Sequence, residues 1–330
     1  MKLIDLVYLN SPGGLNLANY LLNYLLKNGD PNQFLLLIDK RNSIHFNKYE
    51  IKKVTVSKNE LSRFLFYKKN VRQFKSVFCF GNVPPPFKIK PKTFIYFHNE
   101  ILLNSKDLGF SIISKLLFRL KWIYIKSRNF NYIWFVQTEH MKTLLNKKLK
   151  VNSNAILKSP IFDSQKGSAI SKNKNSFIYP TSNQPHKNNI RLIEAFVEAA
   201  LRTEEFFTLS LTIDKIKLTL PKNLKINFLG LIGQDQLSYL YDKSQFLIFP
   251  SLKESFGLPL IEGILANCNV IASDLNYVNE LVNPSYTFDP YDKKSITETI
   301  LVALSNKNHS KSTVKIKNSI DLIFNKLNNV

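Results

Sequence analysis

Two glutamates with seven residues between them occur in the segment PSLKESFGLPLIE, residues 250–262. Glu254 lies in a loop after the predicted strand Phe246–Phe249, and Glu262 lies in the first turn of a helix that we expect to begin at Pro259. Both carboxylates can then face one cleft. A carboxylate accepts two hydrogen bonds, which suits it to binding the hydroxyls of a sugar or ribose. The alternative is that Glu262 only complements the helix dipole and Glu254 is solvated.

The starts of two helices provide candidate anion sites. The backbone amides near Gly257 and Leu258 lie at the N-terminus of the first helix, and such a terminus attracts negative charge. In YPTSNQPHKNNIRLIEAF, residues 179–196, a strand end, a polar loop and a helix start follow one another, with Lys187 beside the helix start. The alternative for Lys187 is a solvated side chain near a helix N-cap, since Asn188 and Asn189 are both good cap residues.

The first half of the chain contains two further candidates. His98 follows the predicted strand Thr93–Phe97, on the side where α/β proteins place their sites. Gly13 and Gly14 follow the first strand and allow the backbone to approach a ligand closely. The alternatives are a histidine that merely caps a strand end and two glycines that form a plain turn.

These residues sit among short apolar runs that alternate with helical patterns, as in parallel sheets covered on both faces. The predicted strands are Leu3–Leu9, Phe34–Ile38, Ser76–Phe80, Thr93–Phe97, Ile133–Gln137, Phe177–Tyr179, Thr208–Ile213, Ile226–Leu229, Phe246–Phe249, Val270–Ala272 and Tyr286–Phe288. The predicted helices include Leu15–Lys27, 111–126, Ile190–Leu201, Gln234–Lys243, Pro259–Asn267 and Ser295–Ser305.

The alternation breaks once, at residues 158–176, where Pro, Gly, Ser, Lys and Asn accumulate. We therefore predict an α/β chain of two Rossmann-like, doubly wound domains, with the boundary and a hinge in this segment. Ligands bind at the carboxyl ends of the strands in such sheets, so the expected site is a cleft between the domains.

The C-terminal half resembles the retaining glycosyltransferases of family four, the group 1 glycosyl transferase type, which have the GT-B fold. The two glutamates match their E-x7-E signature. The similar text includes Phe228-Leu229-Gly230, PSLKESFGLPLIEGILANCNVIASD, Glu280-Leu281-Val282 and Phe288-Asp289-Pro290. The resemblance implies two Rossmann-like domains facing a central cleft: 1–160 for the acceptor and 161–313 for the nucleotide sugar. It also implies that 314–330 form a helix crossing back to the first domain.

The resemblance also implies roles for the candidate residues. Glu262 would hold the ribose of the donor, Glu254 would contact the donor sugar, and Lys187 would contact the diphosphate. His98 would face the sugar from the other domain. The remaining donor contacts would come from the backbone at Ser255, Phe256, Gly257 and Leu258 and from the glycine loop at Gly13 and Gly14.

One position departs from the family pattern. The family has an arginine early in the loop that contains Lys187, and this chain has Thr181-Ser182-Asn183 there. Diphosphate binding must therefore rest on Lys187 with backbone donors, or be weaker or arranged differently.

Missing motifs narrow the chemistry. The chain has no Asp-x-Asp pair to hold a divalent cation and no phosphate-binding loop of the ATPase type. We expect a hexosyl transfer that uses no metal and no cofactor. The resemblance leaves open a sugar-nucleotide epimerase or phosphorylase on the same fold, although a phosphorylase needs a cofactor lysine that we do not find. The other alternative is a non-enzymatic basic protein that binds polyanions.

The net charge of +22 is concentrated in the first half: residues 1–150 contain 26 of the 46 basic and 8 of the 24 acidic side chains. Such a field attracts polyanions, although a lysine-rich composition spread over solvated faces is the alternative. Residues 111–126 predict a helix whose apolar face packs on the sheet and whose basic face carries Trp122. Residues 63–75 mix basic and aromatic residues in the same way.

We therefore predict docking on an anionic inner-leaflet membrane surface that presents a lipid-linked or oligosaccharide acceptor. Nucleic acid is the competing partner for this positive charge, but no recognised nucleic-acid-binding motif supports it. The two cysteines, Cys79 and Cys268, argue for a reducing compartment. The resulting prediction is a cytoplasmic enzyme, peripheral to the inner membrane, that acts in bacterial surface polysaccharide or lipopolysaccharide synthesis.

Overall fold

The computed structural model describes residues 1–9, 11–57, 59–104, 109–164, 167 and 171–329. The chain divides into two compact units, which we call unit 1 and unit 2. Unit 1 comprises Met1–Ser105, Ser111–Asp163 and Asn318–Val330, and unit 2 comprises Lys106–Phe110 and Ser164–Lys317. Each unit is built around its own parallel sheet.

Unit 1 contains a seven-stranded sheet in the order β3-β2-β1-β4-β5-β6-β7, in which every pair of neighbours is parallel. Its strands are β1 Lys2–Asp5, β2 Phe34–Asp39, β3 Lys52–Val56, β4 Ser76–Cys79, β5 Lys92–Tyr96, β6 Ile133–Val136 and β7 Ile156–Lys158. Its first five helices are α1 Pro12–Asn28, α2 Ser43–Phe46, α3 Glu60–Asn70, α4 Ile112–Ser127 and α5 Glu139–Leu149.

The first strand is shorter than the predicted Leu3–Leu9. It ends at Asp5, whose carboxylate accepts a hydrogen bond from the Val7 amide at 3.1 Å. Because the side chain takes this amide out of the ladder, the chain turns towards α1. Leu6, Val7 and Leu9 stay buried beyond the strand end, which explains why the apolar run is longer than the strand.

Unit 2 contains a six-stranded sheet in the order β10-β9-β8-β11-β12-β14, again parallel throughout, and a small antiparallel pair β13-β15. Its strands are β8 Asn173–Tyr179, β9 Phe207–Leu211, β10 Leu224–Phe228, β11 Ser244–Phe249, β12 Asn269–Ser273, β13 Val282–Asn283, β14 Tyr286–Phe288 and β15 Thr313–Val314. Its helices are α6 Asn189–Leu201, α7 Gln234–Lys243, α8 Leu258–Leu265, α9 Asn276–Leu281 and α10 Lys293–Ser305.

The last helix, α11 Ile320–Asn328, belongs to unit 1. Asn318 donates to the Tyr20 hydroxyl at 2.7 Å, and the Ser159 hydroxyl donates to the carbonyl of Ser319 at 2.7 Å. Further along, the Lys2 ammonium donates to Asn328 at 2.5 Å. The chain passes from unit 1 to unit 2 after residue 163 and back to unit 1 after residue 317, three to four residues after the expected boundaries at 160/161 and 313/314. Of the expected hinge at 158–176, residues 165–166 and 168–170 lie outside the described residues.

Helix α4 contradicts the expectation that its apolar face packs on the sheet. Six large aliphatic side chains along one side are 53–86% exposed: Ile112, Ile113, Leu116, Leu117, Leu120 and Ile123. The opposite side packs inwards through Ile125, Phe118 and Trp122, and the Trp122 ring lies 6.2 Å from that of Phe97. The sequence pattern was misleading because the helix carries two apolar stripes, and only packing selects the buried one. No helix in the described part of the chain has the length and apolar character needed to traverse a bilayer.

Candidate functional site

Three loops at the carboxyl edge of the unit 2 sheet are tied to one another. They follow β8, β11 and β14. The Tyr179 hydroxyl donates to the carbonyl of Lys187 at 2.9 Å and lies 2.9 Å from the hydroxyl of Ser251. The Asn188 amide donates to the carbonyl of Pro290 at 2.8 Å. These bonds hold the loops of both predicted donor segments in fixed positions at the end of the sheet where α/β proteins bind ligands.

Lys187 and Glu254 form an ion pair in this loop cluster, with 2.5 Å between Nζ and Oε1. The two side chains are only 17% and 15% exposed. Burial lowers the pKa of the Lys187 ammonium, but the attraction of Glu254 outweighs it, so the pKa lies above its usual value. Two residues predicted from separate motifs are thus in direct contact, and each fixes the position of the other.

Glu262 lies on α8, which begins at Leu258 rather than Pro259 and ends at Leu265 rather than Asn267. It is therefore the fifth helical residue rather than the expected fourth. The hydroxyl of the buried Tyr241 on α7 donates to Glu262 Oε2 at 2.9 Å. This bond orients the carboxylate, and the sequence offered no signal for it because Tyr241 occupies an ordinary position in a helical pattern.

The loop before α8 includes Ser255, the buried Phe256 and Gly257, which caps the helix in the left-handed conformation at φ 84°. A side chain at Gly257 would be strained, and its Cβ would lie 3.2 Å from a Leu260 methyl carbon. No side chain among the described residues caps α8. Its first amides are therefore oriented as donors for an anion.

The position where the resemblance implies an arginine is occupied by a compact polar network. The Thr181 amide donates to the Thr212 hydroxyl at 2.7 Å, and the Thr181 hydroxyl donates to Asn189 at 2.7 Å. Asn189 in turn donates to the carbonyl of Ser182 at 2.7 Å. This turn therefore contains hydroxyl and amide groups but no cation. The two donor segments contain three cations, Lys187, Arg191 and Lys253, and Arg191 donates to Asn188 at 2.6 Å and to the carbonyl of Pro290 at 3.1 Å.

The unit 1 candidates also lie together, at the carboxyl ends of β1, β4 and β5. A Cβ built on Gly14 would lie 2.9 Å from a Leu9 methyl carbon, 3.0 Å from the Ser11 hydroxyl and 3.6 Å from Nε2 of His98. A Cβ on Gly13 would meet nothing within 4 Å. Gly14 therefore brings the N-terminus of α1 close to His98, whereas Gly13 is not required by packing.

Asn82, at the end of β4, fixes the state of His98. Its Oδ1 accepts the His98 amide at 2.6 Å, so its Nδ2 is the atom 3.3 Å from His98 Nε2. An amide nitrogen can only donate, which makes Nε2 the acceptor. Burial, with a smaller contribution from Lys121, lowers the pKa of His98 to about 4. The imidazole is therefore neutral at physiological pH.

The predicted basic and aromatic surface at residues 63–75 is wrong at four of its members, because Arg63, Phe66, Tyr67 and Phe74 are buried. Arg63 is fully buried, and its Nε donates to the carboxylate of Asp5 at 2.8 Å. Tyr67, also fully buried, donates to the same carboxylate at 2.8 Å. Arg63 further donates to the carbonyl of Pro84 at 2.8 Å. A sequence pattern cannot separate this internal ion pair from a solvated cation.

Comparison with known proteins agrees with this architecture. Residues 161–319 match the family described as glycosyl transferases group 1, a span that nearly coincides with the main segment of unit 2. Over 194 residues the chain is 27% identical to the O-antigen chain mannosyltransferase RfbU of Salmonella typhimurium, covering 52% of this chain and 54% of that protein. Over 82 residues it is 32% identical to the O-antigen chain mannosyltransferase B of Escherichia coli, covering 24% and 22%. The chain thus matches at most about half the length of these curated relatives.

Solved structures extend the likeness to both units. The crystal structure of WaaG, a glycosyltransferase involved in lipopolysaccharide biosynthesis, aligns with a TM-score of 0.63 at 16% identity, covering 93% of this chain and 91% of that one. Sucrose-phosphate synthase from Thermosynechococcus elongatus aligns with a TM-score of 0.64 at 12% identity, covering 92% and 89%. The predicted fold class of two Rossmann-like, doubly wound domains is confirmed. The chain has the GT-B fold, and its residues 161–319 are similar to the glycosyl transferases group 1.

Proposed function

We propose that this protein is a retaining glycosyltransferase that moves a hexosyl group from a nucleotide sugar to a saccharide acceptor in bacterial surface polysaccharide or lipopolysaccharide synthesis. The ion pair between Lys187 and Glu254 supports this proposal most directly. It lies at the carboxyl edge of the unit 2 sheet, within the residues that match the family. A fixed, partly shielded ammonium beside a carboxylate is suited to a ligand that carries both a diphosphate and sugar hydroxyls.

In this proposal unit 2 binds the donor. Glu262, oriented by Tyr241, accepts hydrogen bonds from the ribose hydroxyls. Lys187 and the first amides of α8 neutralise the diphosphate, and Glu254 accepts hydrogen bonds from the donor sugar while it holds Lys187 in place. The charge that develops on the leaving diphosphate is thus stabilised by groups already in position, without a metal ion.

Unit 1 binds the acceptor. The acceptor hydroxyl oxygen forms the new bond to the anomeric carbon as the bond to the diphosphate oxygen breaks, and its proton passes to that leaving oxygen. Both events occur on one face, so the anomeric configuration is retained. No protein side chain is needed as the base. The neutral His98, held by Asn82, supplies a hydrogen-bonding imidazole for the sugar rather than a charge.

We further propose that α4 attaches the protein to the cytoplasmic face of an anionic inner membrane. The six exposed aliphatic side chains provide an apolar face, and exposed Lys115, Arg119 and Lys126 lie along one edge of it. A helix with this arrangement lies in the interface with its basic residues against anionic headgroups. These three cations are among the 26 basic side chains of the first 150 residues.

Thermal unfolding against UDP-, GDP-, dTDP- and CMP-sugars tests donor binding, beginning with mannose because the curated relatives are named as mannosyltransferases. A donor at 100 times its dissociation constant stabilises the fold by about 2.7 kcal/mol. We expect one donor to stabilise the protein in this way. Glu262→Gln and Lys187→Gln should abolish the stabilisation by the donor, whereas Lys174→Gln, at an exposed lysine of the same unit, should leave it unchanged.

Turnover distinguishes the alternatives. Transfer to an acceptor that persists in excess EDTA supports a metal-independent transferase. Interconversion of nucleotide sugars without an acceptor would identify an epimerase. Stabilisation by no nucleotide sugar, together with binding to any polyanion, would identify a non-enzymatic basic protein and contradict the proposal.

Co-sedimentation with vesicles tests the membrane surface. We expect binding to vesicles with anionic lipid, little binding to neutral ones, and loss of binding in Leu117→Glu/Leu120→Glu. Leu231→Glu, at a leucine of unit 2 that is 89% exposed, is the matched control and should bind normally. Equal binding to both vesicle types would contradict the electrostatic part of the proposal.

A further inference from the structure

Lys121 on α4 is a half-buried cation at the carboxyl edge of the unit 1 sheet. Its Nζ lies 5.5 Å from the centre of the Tyr8 ring, just beyond the end of β1. It also lies close enough to His98 for its charge to disfavour a second positive charge on that imidazole. Among the described residues, no acidic side chain forms an ion pair with Lys121.

The nearby acids are committed to other partners. The Glu60 carboxylate accepts hydrogen bonds from the hydroxyls of Tyr8 and Tyr124 and lies 3.4 Å from Arg63. The Asp5 carboxylate accepts from Arg63 at 2.8 Å. An ammonium that is partly withdrawn from water without a counter-charge destabilises a fold. Its position therefore points to an anion that is supplied by a ligand.

We propose that Lys121 binds a phosphate or diphosphate group of the acceptor, next to His98. This inference rests on the proposed function, in which unit 1 binds the acceptor. The phosphate would lie at the ends of β1, β4 and β5, where Tyr8, Asn82 and His98 are located.

The position of Lys121 on α4 identifies the kind of acceptor. Leu117 precedes Lys121 by four residues, so the two are neighbours on the helix surface. Leu117 belongs to the exposed aliphatic face and is 59% exposed. One helix therefore presents an apolar strip to a hydrocarbon chain and, beside it, a cation to a phosphate. A saccharide joined to a lipid through a phosphate or diphosphate has both features in that order.

Imidazole NMR of the full chain labelled with ¹³C-histidine tests the site without a donor and without turnover. The probes are decyl phosphate below its micelle concentration, inorganic phosphate, and decanol as the neutral amphiphile. We expect decyl phosphate to move the His98 resonance, assigned by its absence in His98→Gln, and decanol not to move it. If the His98 resonance also moves with inorganic phosphate, the site recognises the anion alone. If it moves with decyl phosphate only, the site recognises a phosphorylated lipid. Both outcomes support the proposal.

Three variants separate a binding role from a structural one. Lys121→Met keeps the aliphatic stem and should weaken decyl phosphate binding at least tenfold, whereas Lys121→Arg should retain it. Lys147→Met, which removes an exposed charge from α5 of the same unit, should leave binding unchanged. Lys121→Met should also unfold at an equal or higher temperature, because it removes an uncompensated charge.

An unchanged His98 response in Lys121→Met, or no response in the unmodified protein, would overturn the proposal. So would a large loss of thermal stability in Lys121→Met, which would make Lys121 a structural residue. The result is independent of catalysis. A chain that binds decyl phosphate at Lys121 but transfers no sugar would refute the proposed function and leave this site standing.

Discussion

Removal of either partner of the Lys187–Glu254 pair is expected to destabilise unit 2 more than removal of both. At 2.5 Å, the attraction between the unit charges is about 7 kcal/mol at an effective dielectric constant of about 20, before desolvation is subtracted. Lys187→Met leaves the Glu254 carboxylate mostly shielded and unpaired, and Glu254→Gln does the same to the ammonium. Each should cost about 2–4 kcal/mol of the free energy of unfolding. Because the double variant should cost less than either single variant, the coupling free energy between them should be above about 2 kcal/mol.

Urea unfolding of the four proteins of this double-mutant cycle, followed by far-UV circular dichroism, measures the coupling. Both tryptophans, Trp122 and Trp134, lie in unit 1, so their fluorescence gives a separate signal for that unit. The exposed pair Lys174–Glu205, at 3.7 Å, is the control cycle and should show a coupling below about 0.5 kcal/mol.

The pH dependence of the cycle follows from Lys187. Its pKa in the folded chain lies above the usual 10.5, so its contribution to stability is complete below pH 10.5 and is lost only as the pH rises through the folded-state value. The coupling should therefore be constant between pH 6 and 9. If the changes in the free energy of unfolding of the two single variants add up to that of the double variant within about 0.3 kcal/mol, the argument that the pair is shielded and mutually dependent is refuted.

Three further predictions address other parts of the site. Gly14→Ala should lower the free energy of unfolding by about 1–3 kcal/mol, because the new Cβ would lie 2.9 Å from a buried leucine methyl carbon, whereas Gly13→Ala should be neutral or stabilising in the same urea titration. His98, with a pKa of about 4, should show no imidazole titration by NMR above pH 5. Because the unfolded chain binds this proton from about pH 6.5 downwards, the free energy of unfolding should rise between pH 4 and 6.5 by up to about 3 kcal/mol. His98→Gln should flatten that rise. Tyr241→Phe, which removes the hydrogen bond to Glu262, should cost about 1–2 kcal/mol and raise the KM for the donor with little change in kcat; an unchanged KM would show that the orientation of Glu262 does not limit donor binding.

The fold was predictable where strands are apolar throughout. Strands such as β2 and β11 were found within two residues of their ends because both faces of each strand are covered. The edge strand β3, with the sequence KKVTV, was missed because it is partly exposed and carries two lysines. Helix α4 was located correctly but oriented wrongly, since its two apolar stripes predict two different buried faces and only the tertiary packing of Trp122 selects one.

Positions at strand and helix ends were also predictable, but the partners of those residues were not. The sequence placed Lys187 and Glu254 at two strand ends of one sheet, and the structure adds that they touch. Tyr241, Asn82 and Lys121 were not selected, because each acts through a contact between segments that are distant in the chain. Such contacts depend on helix orientation and loop length, which residue spacing alone does not determine.

The return of α11 to unit 1 also affects how the protein is made. During synthesis, residues 1–163 leave the ribosome well before residues 318–329, and the whole of Ser164–Lys317 is translated in between. Until then Tyr20, Ser159 and Lys2 lack the partners that the last segment brings. The main segment of unit 2, Ser164–Lys317, is synthesised before α11, so the unit 2 sheet can form before α11 packs on unit 1. A fragment that stops at residue 163 would reproduce this unfinished state rather than an independent domain.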